Sequence, residues 1–495
     1  MRKGLWLAIA LSSGLLVACG DGGSGDTNTV VINKPPVATD DFFNIVEGGT
    51  ISLDVLANDV DPESGVLTLS SFVLTNPEAG TLSSTTTAGK TNYSFAAKDG
   101  FVGDAKFTYV ITDNQNQKVT GNATVTIKAL QSLSSRQDSN CLVTTIGNIK
   151  CWGSNDFGQL GNGTPLVTDG TKAFKNTPVT VANMTTAKQV VMGYNHACAI
   201  LQNGSVSCWG DNNNGQLGDG TQTTRLQATA VTGLAAKATQ LALSYQSTCA
   251  LLETGNVQCW GSNSQGELGL GDNKIVRKIT PTSVTIGTNL KAKRLVAGKN
   301  HICAISQNDS VFCWGNNDFG QLGQNDLVTR YQPVLITALS GTVQQLETGV
   351  NHTCAARSND VYCWGSNNKG QLGNNSQTDS SVPVAVSLTG TVADLALGQE
   401  HSCAVLTDNR TFCWGSRQVG QTTQAVSATV VDKTPVQISS FTGKRRLSAG
   451  DFHSCTIEGI DASLAVKCWG DNQLGQLGDG STTKQSATPV SVKLN

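Results

Sequence analysis

The chain has 495 residues, and its 34 basic side chains nearly balance its 36 acidic ones, for a formal net charge of −2. This balance excludes the strongly basic surface of a nucleic-acid-binding protein, and no basic tail suggests chromatin binding or nuclear import. The 15 cysteines indicate a compartment in which disulfides persist, outside the reducing cytosol.

The first 18 residues predict a signal peptide. A basic start at residues 1–3 precedes an apolar run, residues 5–17, that is too short to cross a membrane as a mature helix. The run ends in Leu-Val-Ala-Cys at residues 16–19, which resembles a bacterial lipoprotein signal that is cut before an acylated cysteine. The alternative is an ordinary secretory leader in which Cys19 is incidental.

The lipoprotein resemblance implies acyl chains on Cys19, which would hold the protein at a membrane without a transmembrane helix. Residues 19–34 are rich in glycine and polar residues and predict a flexible tether. Gly20 stands where an aspartate favours inner-membrane retention in enteric bacteria. The resemblance therefore implies an outer-membrane lipoprotein of a bacterial cell envelope, facing the periplasm or exposed at the surface.

Residues 35–129 predict one β-sandwich. Apolar and polar residues alternate with the period of a strand, and Asn-Pro, Asp-Gly and Glu-Gly-Gly sequences mark turns. The alternating apolar positions are Ile51, Leu53, Val55, Phe107, Tyr109, Ile111, Val125 and Ile127. The segments at 56–61 and 107–113 resemble cadherin-like and immunoglobulin-like repeats of bacterial surface proteins, which implies the same fold.

Four acidic side chains of this unit are candidate Ca²⁺ ligands, because Ca²⁺ takes about six to eight oxygen atoms. They are Asp59, Asp61, Glu63 and Asp113. The alternative is that they are solvated turn carboxylates, because aspartate also stabilises turns. The unit is present once, so the sites that true cadherins form between repeats are excluded.

From residue 130 to the end, the triplet Cys-Trp-Gly recurs seven times at spacings of 50 to 57 residues. Its cysteines are Cys151, Cys208, Cys259, Cys313, Cys363, Cys413 and Cys468. Gly-Gln-Leu-Gly follows each triplet, with Glu267 replacing the glutamine once and Gly-Gln-Thr-Thr standing at 420–423. A period of this size predicts a repeat array.

A second cysteine lies nine to thirteen residues before each triplet cysteine. Short apolar runs flank a turn between the two, such as residues 202–204, which predicts a hairpin with the cysteines facing each other. Facing Cα atoms lie about 4.5–5.5 Å apart, which suits a disulfide. The predicted bridges are Cys141–Cys151, Cys198–Cys208, Cys249–Cys259, Cys303–Cys313, Cys354–Cys363, Cys403–Cys413 and Cys455–Cys468.

Four strand-like segments per repeat predict a seven-bladed β-propeller over residues 130–495, so the whole chain is expected to be all-β. About twenty residues separate each triplet from the next strand, which often begins with Pro-Val. Neighbouring antiparallel strands usually join by short turns, so we expect this long connection to cross between blades. The strand at 489–492 is then expected to complete the blade of residues 130–153, and truncation after Ser486 to destabilise the whole ring.

The repeat itself resembles that of the regulator of chromosome condensation family. Gly-x-x-His-x-Cys-Ala, Val-x-Cys-Trp-Gly-x-Asn and Gly-Gln-Leu-Gly carry the resemblance, which covers all seven copies. The family includes a nuclear exchange factor for a small GTPase and a secreted inhibitor of β-lactamases, so it implies the fold better than the function. The cysteine pairs depart from the nuclear members, and we expect neither a GTPase nor a nucleic acid as partner.

All five histidines occupy one repeat position. They are His196, His301, His352, His401 and His453, and Ser139 and Ser247 fill the position in the other two copies. A ring of imidazoles around the axis would suit a metal. The favoured interpretation is a structural hydrogen bond repeated in each blade, because a position locked to the repeat usually serves the repeat.

No Gly-x-Ser-x-Gly, His-Glu-x-x-His or unique carboxylate pair points to catalysis. The sequence therefore predicts a recognition module, not an enzyme, for a protein or glycan partner, with no cofactor beyond the candidate calcium. The loops at 164–175 and 273–279 are candidate binding segments, because a rigid scaffold commonly carries its binding residues on loops. Two alternatives remain open: a propeller lyase or hydrolase acting on an envelope or extracellular polymer, and a structural spacer or adhesin.

Overall fold

The computed structural model describes residues 33–46, 50–87, 90–98, 101–128, 132–167, 169–339, 341–357, 359–439, 441, 445–458 and 465–494. The predicted signal peptide, Cys19 and nearly all of the tether lie outside the described residues. The chain divides into two compact units, one formed mainly by residues before 127 and the other mainly by residues from 127 onward. Both units are built of β-strands, so the predicted all-β class is confirmed.

The first unit is a two-sheet sandwich. Its strands are β1 (Asp41–Val46), β2 (Thr50–Leu53), β3 (Thr68–Leu74), β4 (Gly80–Thr87), β5 (Lys90–Ala97), β6 (Gly103–Thr112) and β7 (Lys118–Lys128). One sheet has the order β1-β7-β6-β3 and the other β2-β5-β4. The apolar positions predicted on β6 and β7 point inward, and the Phe107 ring packs 5.4 Å from that of Phe72 and 5.2 Å from that of Phe95.

The second unit is a seven-bladed propeller, and each blade is a four-stranded antiparallel sheet made from consecutive strands. The blades, in chain order, are β8–β11 (Leu133–Arg136, Ser139–Val143, Ile149–Ser154, Phe174–Thr180), β12–β15 (Ala187–Met192, His196–Leu201, Val206–Gly210, Arg225–Ala230), β16–β19 (Ala238–Leu243, Ser247–Leu252, Val257–Ser262, Arg277–Val284), β20–β23 (Ala292–Ala297, His301–Ser306, Val311–Gly315, Arg330–Leu335), β24–β27 (Gln345–Thr348, His352–Arg357, Asp360–Gly365, Ser380–Ala385), β28–β31 (Val392–Leu397, His401–Leu406, Thr411–Ser416, Val431–Ile438) and β32–β35 (Arg445–Ala449, His453–Glu458, Ala465–Asp471, Gln485–Ser491).

The predicted blade phase is wrong. Each blade ends, rather than begins, with its Pro-Val strand, and the first blade has a complete set of four strands. The C-terminal strand β35 pairs with β34, with Val490 opposite Cys468, so it belongs to the last blade. No strand crosses from the end of the described chain to the first blade, and the ring closes without exchanging a strand.

The prediction failed because the long connection does not lead to the next blade. It is a packed loop that joins the third and fourth strands of one blade. In the second blade, Asn212 donates from Nδ2 to the backbone oxygens of Thr221 and Thr223, which folds the loop back on itself. Its Gly218 has φ +68°, and a Cβ there would lie 2.6 Å from the indole nitrogen of Trp260 in the next blade. The loop therefore fills the space between neighbouring blades while its two ends stay in the same sheet.

The two middle strands of every blade carry the cysteine pair. Cys198 lies opposite Cys208 in the register of β13 and β14, and the other six pairs face each other in the same way. The seven predicted pairs are the seven disulfides of the structure, with Cα atoms 4.0–4.1 Å apart. The glycine after each tryptophan forms a bulge: Gly210 has φ +99°, and a Cβ there would lie 2.5 Å from the oxygen of Asn195.

Candidate functional site

The propeller has two ends, and one of them carries the long loops. The third strand of each blade ends beside the turn that joins the first two strands. That turn and the long loop that follows the third strand therefore lie at the same end of the propeller. In the first blade, for example, the amide of Ser154 donates to the oxygen of Asp138 in the turn, 2.9 Å away. We call this end the loop face. The candidate segments 164–175 and 273–279 both belong to it.

Exposed large apolar side chains of the propeller are concentrated on the loop face. Those on its long loops and on the starts of the following strands form what we call the apolar rim: Phe157, Leu166, Val167, Phe174, Val276, Ile279, Phe319, Leu327, Val328, Val426 and Val430. Among the described propeller residues, Ile146 and Leu335 are the exposed large apolar side chains outside it. The rim draws on the first, third, fourth and sixth blades.

The centre of the loop face is formed by the short turns that follow the innermost strands. We call the cluster of Arg136, Tyr194, Tyr245, Lys299 and Asp451 the channel mouth. Backbone bonds join these turns around the axis: the Tyr245 amide donates to Lys299 O at 2.8 Å, and the Asp451 amide donates to the oxygen of Gln137 at 3.0 Å. The five side chains thus come from five blades and meet at one place.

Aromatic and charged groups contact each other in the channel mouth. The Arg136 guanidinium lies 5.9 Å from the centre of the Tyr194 ring and donates through Nη2 to Ala297 O at 2.6 Å, which spans the channel from the first blade to the fourth. Tyr194 and Tyr245 pack edge to face at 5.4 Å, and the Lys299 ammonium lies 5.6 Å from the Tyr245 ring. These contacts fix the rings at the axis.

Burial shifts the protonation of this cluster. It raises the pKa of Asp451 to about 7, with Asp138 adding to the rise and Arg136 and Lys299 opposing it. Burial likewise raises the pKa of Asp138 to about 6 and that of the Tyr194 hydroxyl well above its usual value. Asp451 is therefore only partly ionised near neutral pH.

The sequence interpretation missed the channel mouth because it looked for unique polar residues outside the repeat. Four of the five mouth residues lie inside it, directly after the glycine of Gly-x-x-His or the serine that replaces it in the third blade, at a position that varies from copy to copy; Arg136 stands at the glycine position of the first blade. Tyr194, Tyr245, Lys299 and Asp451 all occupy this position, alongside Val350 and Gln399. A varying position inside a fixed motif was the signal that could have found them.

The wall of the channel carries polar side chains that bond to the neighbouring blade. Side chains on the innermost strands bond the backbone of the next blade: Gln240 donates to Leu295 O at 2.8 Å and accepts from the Leu295 amide at 2.9 Å. The Leu447 amide donates in the same way to an oxygen of Asp394, whose pKa burial raises to about 6. These groups cover the inner strand edges, and their role is structural.

The five histidines join neighbouring blades. Each imidazole Nε2 lies 2.7–3.0 Å from a polar side chain of the next blade. The pairs are His196–Thr248, His301–Thr353, His352–Ser402, His401–Ser454 and His453–Asn140. Burial lowers their pKa to about 3, or about 4 for His401, so the rings are neutral at ordinary pH. This geometry agrees with the structural interpretation.

The candidate calcium ligands lie in turns of the sandwich. Asp113 accepts bonds from the Asn33 side chain and from the amides of Gln115 and Gln117. One oxygen of Asp59 accepts from the Tyr109 hydroxyl at 3.1 Å, Asp61 accepts from the Glu63 amide, and Glu63 accepts from the Lys34 amide. Among the described residues, no three or more His, Cys, Asp or Glu side chains are grouped as metal ligands would be.

The predicted lipidation site Cys19 and residues 20–32 of the tether lie outside the described residues. Within the part of the chain that the structure describes, no helix has the length and apolar character needed to span a membrane.

Two family models match the chain. Residues 148–495 match the model described as RCC1-like domain, and residues 33–127 match the bacterial Ig domain. The ultraviolet-B receptor UVR8 of Arabidopsis thaliana is 32% identical over 212 residues, which is 42% of this chain and 46% of the receptor. The probable E3 ubiquitin-protein ligase HERC6 of Homo sapiens is 31% identical over 241 residues, 46% of this chain and 23% of the ligase.

Solved structures agree on the fold. Prp20p of Saccharomyces cerevisiae superposes with a TM-score of 0.61 at 22% identity, covering 73% of this chain and 87% of Prp20p. Human WBSCR16 superposes with a TM-score of 0.59 at 17% identity, covering 70% and 94%. The chain spans less than half the length of the curated relatives named above. On the match to residues 148–495, this chain belongs to the family of proteins with an RCC1-like domain.

Proposed function

We propose that the protein is a lipid-anchored component of a bacterial cell envelope whose loop face recognises a protein partner without catalysing a reaction. The apolar rim carries this proposal. Exposed apolar surface that is concentrated in one region marks interaction sites, and here eleven of the thirteen exposed large apolar side chains among the described propeller residues lie at one end. Protein is favoured over glycan because eight of the eleven rim side chains are aliphatic, and sugar rings stack on aromatic ones.

The name of one relative supports a role in recognition. UVR8 is named a receptor, and Prp20p is described with its binding to Gsp1p and histones. At the identity of Prp20p the likeness carries the fold alone, so these partners are not transferred to this chain. The bacterial Ig match and the leader at residues 1–19 support an envelope location, with Cys19 acylated at the outer membrane.

Capture of partners from an envelope extract of the producing bacterium tests the proposal. The full-length protein is compared with a rim variant, Phe319→Ser with Leu327→Ser, which removes two exposed apolar side chains of the fourth blade. The matched control is Ile146→Ser with Leu335→Ser, which removes two exposed apolar side chains away from the rim. We expect one stoichiometric protein that the control retains and the rim variant loses.

Other outcomes would contradict the proposal. Equal capture by the rim variant and the control would exclude the loop face as the binding surface. Retention of glycan alone would favour the adhesin or spacer, and turnover of an envelope or extracellular polymer would favour the lyase or hydrolase.

A further inference from the structure

The Tyr194 hydroxyl is the first sign that the channel mouth has a ligand of its own. Tyr194 is 3% exposed, and within the part of the chain that the structure describes its hydroxyl makes no hydrogen bond of good geometry. It lies close to the Asp451 carboxylate without a well-formed bond to it. A buried hydroxyl without a partner costs about 1–3 kcal/mol, so a group that bonds it on binding would be favoured.

Asp451 is the second sign. It is 9% exposed, and among the described residues it has no salt bridge. Arg136 is the cation that acts most strongly on the Asp451 carboxylate. Its guanidinium already donates to Ala297 O and faces the Tyr194 ring. Lys299 faces the Tyr245 ring. Both cations act on the Asp451 carboxylate from a distance, and among the described residues neither forms a salt bridge with it.

A third acceptor lies beside them. The side-chain oxygen of Gln137 is buried and has no hydrogen-bond partner among the described residues, and the backbone oxygen of the same residue accepts the Asp451 amide at 3.0 Å. Among the described residues, the Tyr194 hydroxyl and the Gln137 side-chain oxygen lack a well-formed bond, and the Asp451 carboxylate beside them has no salt bridge. A ligand of the channel mouth must therefore supply hydrogen-bond donors. The rings of Tyr194 and Tyr245 lie beside these acceptors.

We propose that the channel mouth binds the basic side chain of an arginine that a protein partner presents to the loop face. A guanidinium carries five N–H donors in a planar fork, suits a carboxylate, and packs on aromatic rings. The Asp451 carboxylate would pair with the fork, with the Tyr194 hydroxyl and the Gln137 side-chain oxygen accepting further bonds. This inference rests on the proposed function, since it names the residue type that a partner docked on the apolar rim inserts at the axis.

N-acetyl-arginine amide is the probe, and N-acetyl-citrulline amide is its neutral counterpart. Titration of each into the full-length protein, followed by calorimetry or ligand-observed NMR, measures the affinity directly. We expect saturable binding of the arginine probe and at least about tenfold weaker binding of the citrulline probe, since a charge-assisted pair is roughly twice as strong as a neutral one. Equal affinity for both probes would overturn the proposal.

Three variants locate the site. Asp451→Asn removes the charge and should weaken the arginine probe by about tenfold or more. Tyr194→Phe keeps the ring and its packing while removing the hydroxyl, so it should weaken binding severalfold without a change in fold. Asp408→Asn, an exposed acid in the hairpin at the other end of the sixth blade, should leave binding unchanged. Unchanged affinity in both mouth variants would overturn the proposal.

The pH dependence supplies an independent check. Asp451 faces Arg136, Lys299, Asp138 and Tyr194, and its pKa is raised to about 7. Deprotonation creates the carboxylate that pairs with the probe, so affinity should rise between pH 6 and pH 8, and Asp451→Asn should flatten most of that rise. If the probe does not bind while the rim variant still loses its partner, the arginine site is wrong and the proposed function stands.

Discussion

The indole nitrogen of Trp152 donates a hydrogen bond to the backbone oxygen of Gln476, 3.0 Å away and 324 residues later in the chain. The same bond joins each other pair of neighbouring blades, for example Trp260 to Gln216 O at 2.9 Å. Of these seven tryptophan bonds, the one from Trp152 joins the last blade to the first, where the chain does not pass from one blade to the next. This seam depends on non-covalent contacts alone.

The first prediction concerns that seam. Trp152→Phe keeps an aromatic ring and removes the bond, leaving a buried carbonyl oxygen with one fewer donor, so we expect a loss of about 1–3 kcal/mol of unfolding free energy. Trp260→Phe is the matched control at a seam that the chain also crosses. Thermal unfolding of both should show the larger loss for Trp152→Phe. A larger loss for Trp260→Phe would mean that closure of the ring is not its weakest point.

The second prediction couples a glycine to a histidine. A Cβ on Gly298 would lie 2.1 Å from the His301 ring, so Gly298→Ser alone should destabilise the fold strongly. The third blade shows the compatible pair, since Ser244 and Ser247 stand at these two positions with their hydroxyl oxygens 2.6 Å apart. We expect Gly298→Ser with His301→Ser to recover part of the stability lost in Gly298→Ser, with a coupling of about 1–3 kcal/mol; the recovery is partial because a Cβ at residue 298 would still lie 2.6 Å from the Gly349 oxygen. Additive losses in thermal unfolding would exclude the steric explanation.

The third prediction uses Glu267, the one acid at the glutamine position of the repeat. Burial raises the pKa of Glu267 to about 7, so the folded protein binds a proton that the unfolded chain releases at lower pH. The stability of the wild-type protein is therefore complete below the usual glutamate pKa and falls as pH rises through about 7. We expect Glu267→Gln to stabilise the protein by up to about 3 kcal/mol at pH 8, with little effect at pH 5.

The control for Glu267 comes from the fifth blade. Gln371 occupies the same position there, next to Ser366. Gln371→Glu should destabilise the protein at pH 8 and much less at pH 5, the mirror image of Glu267→Gln. A Glu267→Gln effect that does not change with pH would mean that the carboxyl is already ionised in the folded state.

The fourth prediction concerns the membrane anchor. Cys19→Ser should abolish metabolic labelling with palmitate and block removal of the leader, because the acylated cysteine defines the cleavage site. Ser24→Ala in the same tether should leave both unchanged. Continued labelling of the Cys19→Ser protein would show that lipid is attached elsewhere or that the leader is of another kind.

The fifth prediction is that calcium binds the sandwich weakly. Hydrogen bonds already engage Asp113 and one oxygen of Asp59, so binding must compete with them. Calorimetry on the full chain should show no binding tighter than about millimolar, the range of weak extracellular calcium modules. Tight binding that Asp61→Asn abolishes would contradict this expectation.

The sequence predicted what local chemistry decides. Facing cysteines across a tight hairpin, such as Cys198 and Cys208, need only a register, and period-2 alternation is enough to bury Phe107 and Ile111. The blade phase could not be predicted from local sequence. The length of the loop suggested a crossover between blades, but the loop is held in place by the contact of Gly218 with Trp260, which lies in a different blade. That contact has no signature in either segment taken alone.

The channel mouth could not be predicted from the sequence, for a related reason. Tyr194 and Asp451 are 257 residues apart, and they meet only because the ring brings the second and seventh blades together at the axis. The apolar rim was partly predicted, since the segments 164–175 and 273–279 supply five of its members. Which loops expose apolar side chains depends on how each loop packs against the next blade.

Every disulfide joins cysteines nine to thirteen residues apart and lies within one blade. If the chain is exported as we propose, it can be oxidised in the order in which it emerges, with each bridge forming between the two nearest thiols before the next pair arrives. Scrambled pairing is disfavoured by this order, and no bridge has to wait for the C-terminus. The covalent framework can be complete before the propeller closes, which leaves ring closure as a reversible, non-covalent step.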